Sequence, residues 1–188
     1  MLRALLLACL TLGPAAATPP RMDDLPRPPA SVPRGTPVQL AQARPTLDLL
    51  VTLRLLADLL ARGDSALDAA TRAEVSAALA DLPARKTLGP LEAGRTLEQV
   101  RAALTPSERQ ALDRARDALE GRANLLLARA RLASPDGPPN LTLHRYGFMV
   151  PGGLALVRRV TATPTLNPYA EAGPNAEVLR RVLTGLRR

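Results

Sequence analysis

Between Leu104 and Ala133 apolar positions recur at Leu112, Ala115, Leu119, Ala123, Leu126, Ala130 and Ala133, at spacings of three and four. That is one stripe of a helix with about 3.6 residues per turn. The stretch carries its own start signal, with Thr105 as N-cap, Pro106 in the first helical position and Glu108 three residues after the cap. The threonine hydroxyl can accept from the N–H of Glu108 while the glutamate reaches back to the N–H of Thr105, so two orphan donors are satisfied together. At about 1.5 Å per residue the helix spans roughly 40 Å, long enough to serve as a spine for shorter ones.

Three more helical patterns precede it. The first is expected from Thr46, as cap, to Arg62, with Asp48 in its first turn and Gly63 ending it in the left-handed conformation. Leu47, Leu49, Leu50, Val51, Leu53, Leu55, Leu56, Leu59 and Leu60 cover most of its circumference, so it is either central or part of an interface. A second helix is expected between Ser65 and Leu82, stopped by Pro83, and a third from Pro90 to Leu104. Short connections make neighbours antiparallel. The fold class expected is all-α: a bundle of about four helices over 46–133, with a C-terminal extension, 134–188, packed on it.

That extension is harder to read. Leu141–Tyr146 alternates weakly and suggests an extended segment, whereas Leu154–Ala162 fits a short helix better than a strand. Asn167-Pro168-Tyr169 reads as a turn, and a last helix should run from Asn175 to about Leu186.

Composition sharpens the class. Tryptophan is absent, and the aromatics are Tyr146, Phe148 and Tyr169 alone, so the core must be built from Leu, Val and Ala. Such side chains suit closely packed helices more than sandwiches or barrels. The net charge is +8, and every basic residue except Lys86 is arginine. From Arg44 to Leu132 both signs are interspersed, with i, i+4 pairs such as Arg109–Asp113 and Arg116–Glu120, which describes a solvated face rather than a specific nucleic-acid stripe. Gly121 either weakens the fourth helix or marks a close crossing.

The N-terminus has the order of a secretory signal: Arg3, an apolar run from Ala4 to Leu12, the Gly13-Pro14 break, then Ala15-Ala16-Ala17. Residues 1–17 are thus expected to be a signal peptide cleaved after Ala17, with export to the periplasm or outside the cell. The rival is a lipoprotein signal ending at Cys9. Cys9 is the only cysteine, so cleavage after Ala17 leaves a thiol-free chain suited to an oxidising compartment. No later segment is apolar enough to span a bilayer. Residues 18–45 hold Pro19, Pro20, Pro26, Pro28, Pro29, Pro33, Pro37 and Pro45, and read as a disordered or polyproline-II linker.

Catalytic groups are sparse. His144 stands alone, no serine sits in a G-x-S-x-G elbow, and no metal-loop or phosphate-loop motif occurs, so neither enzyme nor cofactor is expected. The plain role of Tyr146, Phe148 and Tyr169 is to dock the C-terminal segment; the sharper one is a contact surface shared with Arg158 and Arg159. The function expected is a non-enzymatic exported protein acting through protein contacts, as adaptor or in a chaperone-like role. Its partner would be another envelope protein or a second copy of itself. The alternative is a basic binder of anionic envelope polymer or lipid.

Leu104-Thr105-Pro106-Ser107-Glu108-Arg109 resembles the LTPEQR element of Spy-type periplasmic chaperones, small exported helical proteins that cradle unfolded clients. The paired starts Leu88-Gly89-Pro90 and Leu104-Thr105-Pro106, followed by an Asn-Pro-aromatic turn and a terminal helix, resemble uncharacterised exported helical proteins of GC-rich bacteria. The first resemblance implies client binding; the second implies no known activity.

Overall fold

Helix α1 (Pro37–Arg62) is the central element of the computed structural model, which describes residues 37–63, 67–133 and 140–187. The expected signal peptide and residues 18–36 of the expected linker lie outside the described residues. Following α1 are α2 (Ala69–Leu79), a single 3₁₀ turn (Leu82–Ala84), α3 (Pro90–Ala103) and α4 (Pro106–Ala133). Then come α5 (Leu141–Met149), α6 (Gly153–Ala162) and α7 (Pro174–Leu186). The fold is all-α, and no strand occurs among the described residues.

α1 starts at Pro37 rather than at Thr46, so the last part of the expected linker is helical. Averaging proline over the whole linker hid this. Val38–Arg44 contains none, and Pro37 occupies a first-turn position that needs no N–H. Pro45, inside the helix, deprives the Ala41 carbonyl of its donor; Ala41 is exposed, and water can replace it. Thr46, no longer a cap, is buried with its hydroxyl unpartnered. Gly63 does end the helix in the left-handed conformation, at φ 72°.

The leucines that encircle α1 have helices on nearly every side. Leu47, Leu49, Leu50, Val51, Leu53, Leu55 and Leu56 are all buried, and α3, α4, α5, α6 and α7 contact the helix. Centrality, not an interface, explains its apolar circumference. The spine is therefore α1 and not α4, which packs on α1 and α5 only along one stripe. That stripe also shifts: Leu112, Leu119, Ala123 and Leu127 are buried, whereas Leu126 is exposed. The run Leu125-Leu126-Leu127 offers three registers, and docking of α5 selects the third.

Local signals account for the other boundaries. Asp68 caps α2 by accepting from Thr71 N at 2.6 Å, so the helix begins after the expected Ser65. The backbone N–H of Thr71 holds the Asp68 carboxyl below its ordinary value. At α4 the reciprocal cap forms: Glu108 N donates to Thr105 Oγ1 at 3.4 Å, and Thr105 N donates to Glu108 Oε2 at 2.7 Å. The segment expected to be extended is α5. Asn140 caps it, accepting from Leu143 N at 3.1 Å, and Leu143, Tyr146 and Met149 follow at helical spacing as its buried face.

The C-terminal segment completes the core instead of lying on it. Val157, Val160, Val178, Leu179 and Val182 are buried in the same cluster as α1. α5 and α6 approach so closely that a Cβ on Gly147 would meet Leu154 backbone at 3.1 Å. The Asn167 turn ties two loops: its Nδ2 donates to the carbonyls of Leu82 and Arg85, both at 2.7 Å, and Leu88 N donates to Thr165 O at 3.0 Å.

Candidate functional site

Asp48 is the polar joint of three helices. Its Oδ1 accepts from Arg116 of α4 at 2.6 Å and from the Tyr146 hydroxyl of α5 at 2.9 Å, and its Oδ2 lies 3.6 Å from Arg44. Arg116 also donates to Glu120 at 3.1 Å. Burial pulls the Arg116 guanidinium down, but the Asp48 and Glu120 carboxylates outweigh it and hold it above its ordinary value. Burial, then the Asp48 charge, push the Tyr146 hydroxyl up to about 12. Asp48 therefore serves as a clamp rather than as the expected charge at a helix start. A second fastener is Arg54, which donates to the Met149 carbonyl at 2.6 Å and so neutralises the C-terminal end of α5.

These contacts also set directions. Tyr146 meets Asp48 and Met149 meets Arg54, so α5 runs alongside α1 in the same sense. α4 runs the opposite way, because Arg116 meets Asp48 while Asn124, Leu127 and Ala128 line a groove with Leu141, Thr142 and Arg145. The start of α1, the end of α4 and the start of α5 therefore share one end of the bundle. Of the six large apolar side chains exposed among the described residues, Val38, Leu125, Leu126 and Leu141 lie on these three segments; the other two are Leu91 of α3 and Phe148 of α5. The groove between α4 and α5 at this end holds about 350 Å³.

The five residues expected to form a contact surface do not come together. Tyr146 is buried in the Asp48 clamp, and Tyr169 is fully buried, its hydroxyl unpartnered and raised far above its ordinary value by burial. Phe148 is partly exposed at the far end of α5, Arg158 is exposed on α6, and Arg159 is exposed 3.4 Å from Glu171. The tyrosines thus do the docking. Of the charge pairs, Arg116–Glu120 forms, but Asp113 pairs with Arg101 at 3.0 Å instead of with Arg109. Gly121 does not break α4, and a Cβ added there would meet no atom within 4 Å beyond the adjoining turns of its own helix.

A larger groove of about 590 Å³ lies between α2 and α3, lined among others by Glu74, Ala77, Ala78, Asp81, Ala102 and Ala103. His144 Nδ1 lies 2.8 Å from the Asn140 carbonyl, which assigns that ring nitrogen to the start of α5. Among the described residues no group of three or more His, Cys, Asp or Glu could hold a metal ion. No helix among them is long and apolar enough to cross a membrane.

No protein-family model, no curated protein and no solved structure matches this chain. The functional reading rests on the geometry. What sequence reading missed is the apolar end: Val38 falls in the proline-rich stretch, and Leu126 has the spacing of a core residue.

Proposed function

We propose that this chain is an exported, non-enzymatic helical protein that works through protein–protein contacts, as an adaptor or in a chaperone-like role. Its contact surface is the apolar end built by α1, α4 and α5, and its partner is another envelope protein or a second copy of the chain. The observation that carries the reading is that Val38, Leu125, Leu126 and Leu141 stay exposed on the three helix segments that share this end. Exposed apolar residues scattered singly need no explanation, whereas their concentration in one region is a mark of interaction surfaces. Export rests on the order of residues in 1–17.

The test uses the chain purified without residues 1–17, its sedimentation behaviour, its suppression of aggregation of an unfolded client, and its cross-links to envelope proteins. Self-association, suppression or a specific cross-link that the triple change Leu125→Gln, Leu126→Gln and Leu141→Gln abolishes supports the reading. A monomer that neither suppresses aggregation nor retains any envelope protein overturns it.

The alternative, a basic binder of anionic polymer or lipid, draws on the exposed arginines of α6 and α7. Arg158 and Arg181 carry no ion pair among the described residues, but Arg159 and Arg180 are engaged with Glu171 and Glu177. Binding of that kind weakens steeply with salt and with Arg-to-Ala changes at these four positions. Salt-insensitive binding counts against it.

A further inference from the structure

The end of the bundle that α1, α4 and α5 share is one-sided in charge as well as apolar. Its three segments, 37–47 of α1, 121–133 of α4 and 140–145 at the start of α5, carry five arginines and no aspartate or glutamate. Residues 48–120, by contrast, carry twelve acidic and ten basic residues. We propose that the partner taken at this end is an acidic amphipathic helix of another protein, and not a second copy of this chain. The inference rests on the reading of this end as a contact surface.

The arginines stand one helical turn from the exposed leucines. Residues four apart share a helix face, so Leu125 goes with Arg129 and Leu126 with Arg122 on α4, and Leu141 goes with Arg145 on α5. Arg129 and Arg145 have no ion pair or hydrogen bond among the described residues, and Arg122 only donates to the Ala118 carbonyl of its own helix at 3.4 Å. The carboxylates that adjoin this end are taken. Asp48 accepts from Arg116 and Tyr146, and Glu120 accepts from Arg116.

The groove of about 350 Å³ between α4 and α5 supplies the seat. Leu127, Ala128 and Leu141 make its lining apolar, while Asn124, Thr142 and Arg145 add polar groups. Such a groove receives a projecting apolar side chain, as when an amphipathic helix sets its anchors into a partner and leaves its polar flank at the rim. Carboxylates one turn from that anchor meet Arg129 and Arg145, and guanidinium–carboxylate bonds are charge-assisted. The same charges exclude a second copy. Two of these ends face to face would set arginines against arginines with no counter-charge, and like-charge juxtaposition suppresses association. A bilayer surface, the other anionic candidate, would leave the concave groove unfilled.

The test uses the chain without residues 1–17 and two labelled synthetic helical peptides. Both are leucine-lined on one face; the other face carries glutamate in one peptide and lysine in the other. Fluorescence anisotropy is read at low and high salt. The glutamate peptide should bind, more weakly as salt rises, and the lysine peptide should bind at least about ten-fold more weakly. Arg129→Gln and Arg145→Gln should each weaken the glutamate peptide by about two- to five-fold, the range for an exposed ion pair. Neither arginine has a partner within the chain, so both variants keep the fold and should melt as wild type does. Equal binding of the two peptides that Leu141→Gln abolishes keeps the contact surface and overturns the acidic partner. Self-association that the triple leucine change abolishes does the same, since the occupant is then a second copy. Binding to phosphatidylglycerol vesicles but to neither peptide, or an affinity for the glutamate peptide unmoved by salt and by both arginine substitutions, also overturns the proposal.

Discussion

α1 and α4 are almost the same length, 26 and 28 residues, and they are built on opposite terms. α4 announces itself: a reciprocal cap starts it, charges of both signs coat it, and one apolar stripe attaches it. α1 has a proline in its interior and leucines on nearly every side. Yet α1 is the centre and α4 the flank. Local signals determine whether a helix starts and stops. How much of its circumference is apolar determines how many neighbours it can hold, and so where it sits.

That contrast can be broken at its strongest point first. Leu53→Ala, in the middle of α1, should cost about 2–5 kcal/mol in urea unfolding, through lost burial and the cavity left behind. Tyr146→Phe, which removes one bond to the clamp joining the two helices, should cost about 1.5 kcal/mol, since Asp48 keeps its arginines. The same variant sharpens a pH test. The Tyr146 pKa is raised in the folded state, from 10.0 to about 12, so its contribution is whole below about 10 and is lost as pH rises toward 12. Between those limits wild type should lose stability more steeply than Tyr146→Phe. Tyr169, raised further, contributes its own loss to both proteins.

On α4 the effects are smaller. Thr105→Ala should cost about 1 kcal/mol, because the cap is local and replaceable by water. Gly121→Ala should stabilise by about 0.5–1 kcal/mol: the position is an exposed helix interior, and nothing within 4 Å meets a new Cβ. Leu125→Gln should change stability by less than about 0.5 kcal/mol, while weakening any contact made at the apolar end. A large loss at Leu125, or a small one at Leu53, would reverse the roles assigned to the two helices.

Much of the fold was legible. The starts of α3, α4 and α7 follow their Pro residues at first-turn positions, Gly63 ends α1, and the Asn167 turn lies where the residue types put it. The failures have particular causes. A proline at 45 argued against a helix that its neighbours, free of proline, sustain. The short alternation of Leu141 and Leu143 suggested a strand, although Asn140 as cap and the three-residue spacing of Leu143, Tyr146 and Met149 already described a helix.

By itself, the sequence determined that this chain is helical, that its core is aliphatic, and where most helices begin, because caps, turns and periodicity act over a few residues. Only the tertiary structure decided that α1 is central, that Leu127 rather than Leu126 is buried, that the tyrosines are fasteners, and that the C-terminal helices belong to the core. Those outcomes depend on which faces meet across long separations, such as Asp48 with Tyr146, and no short stretch of sequence contains both partners.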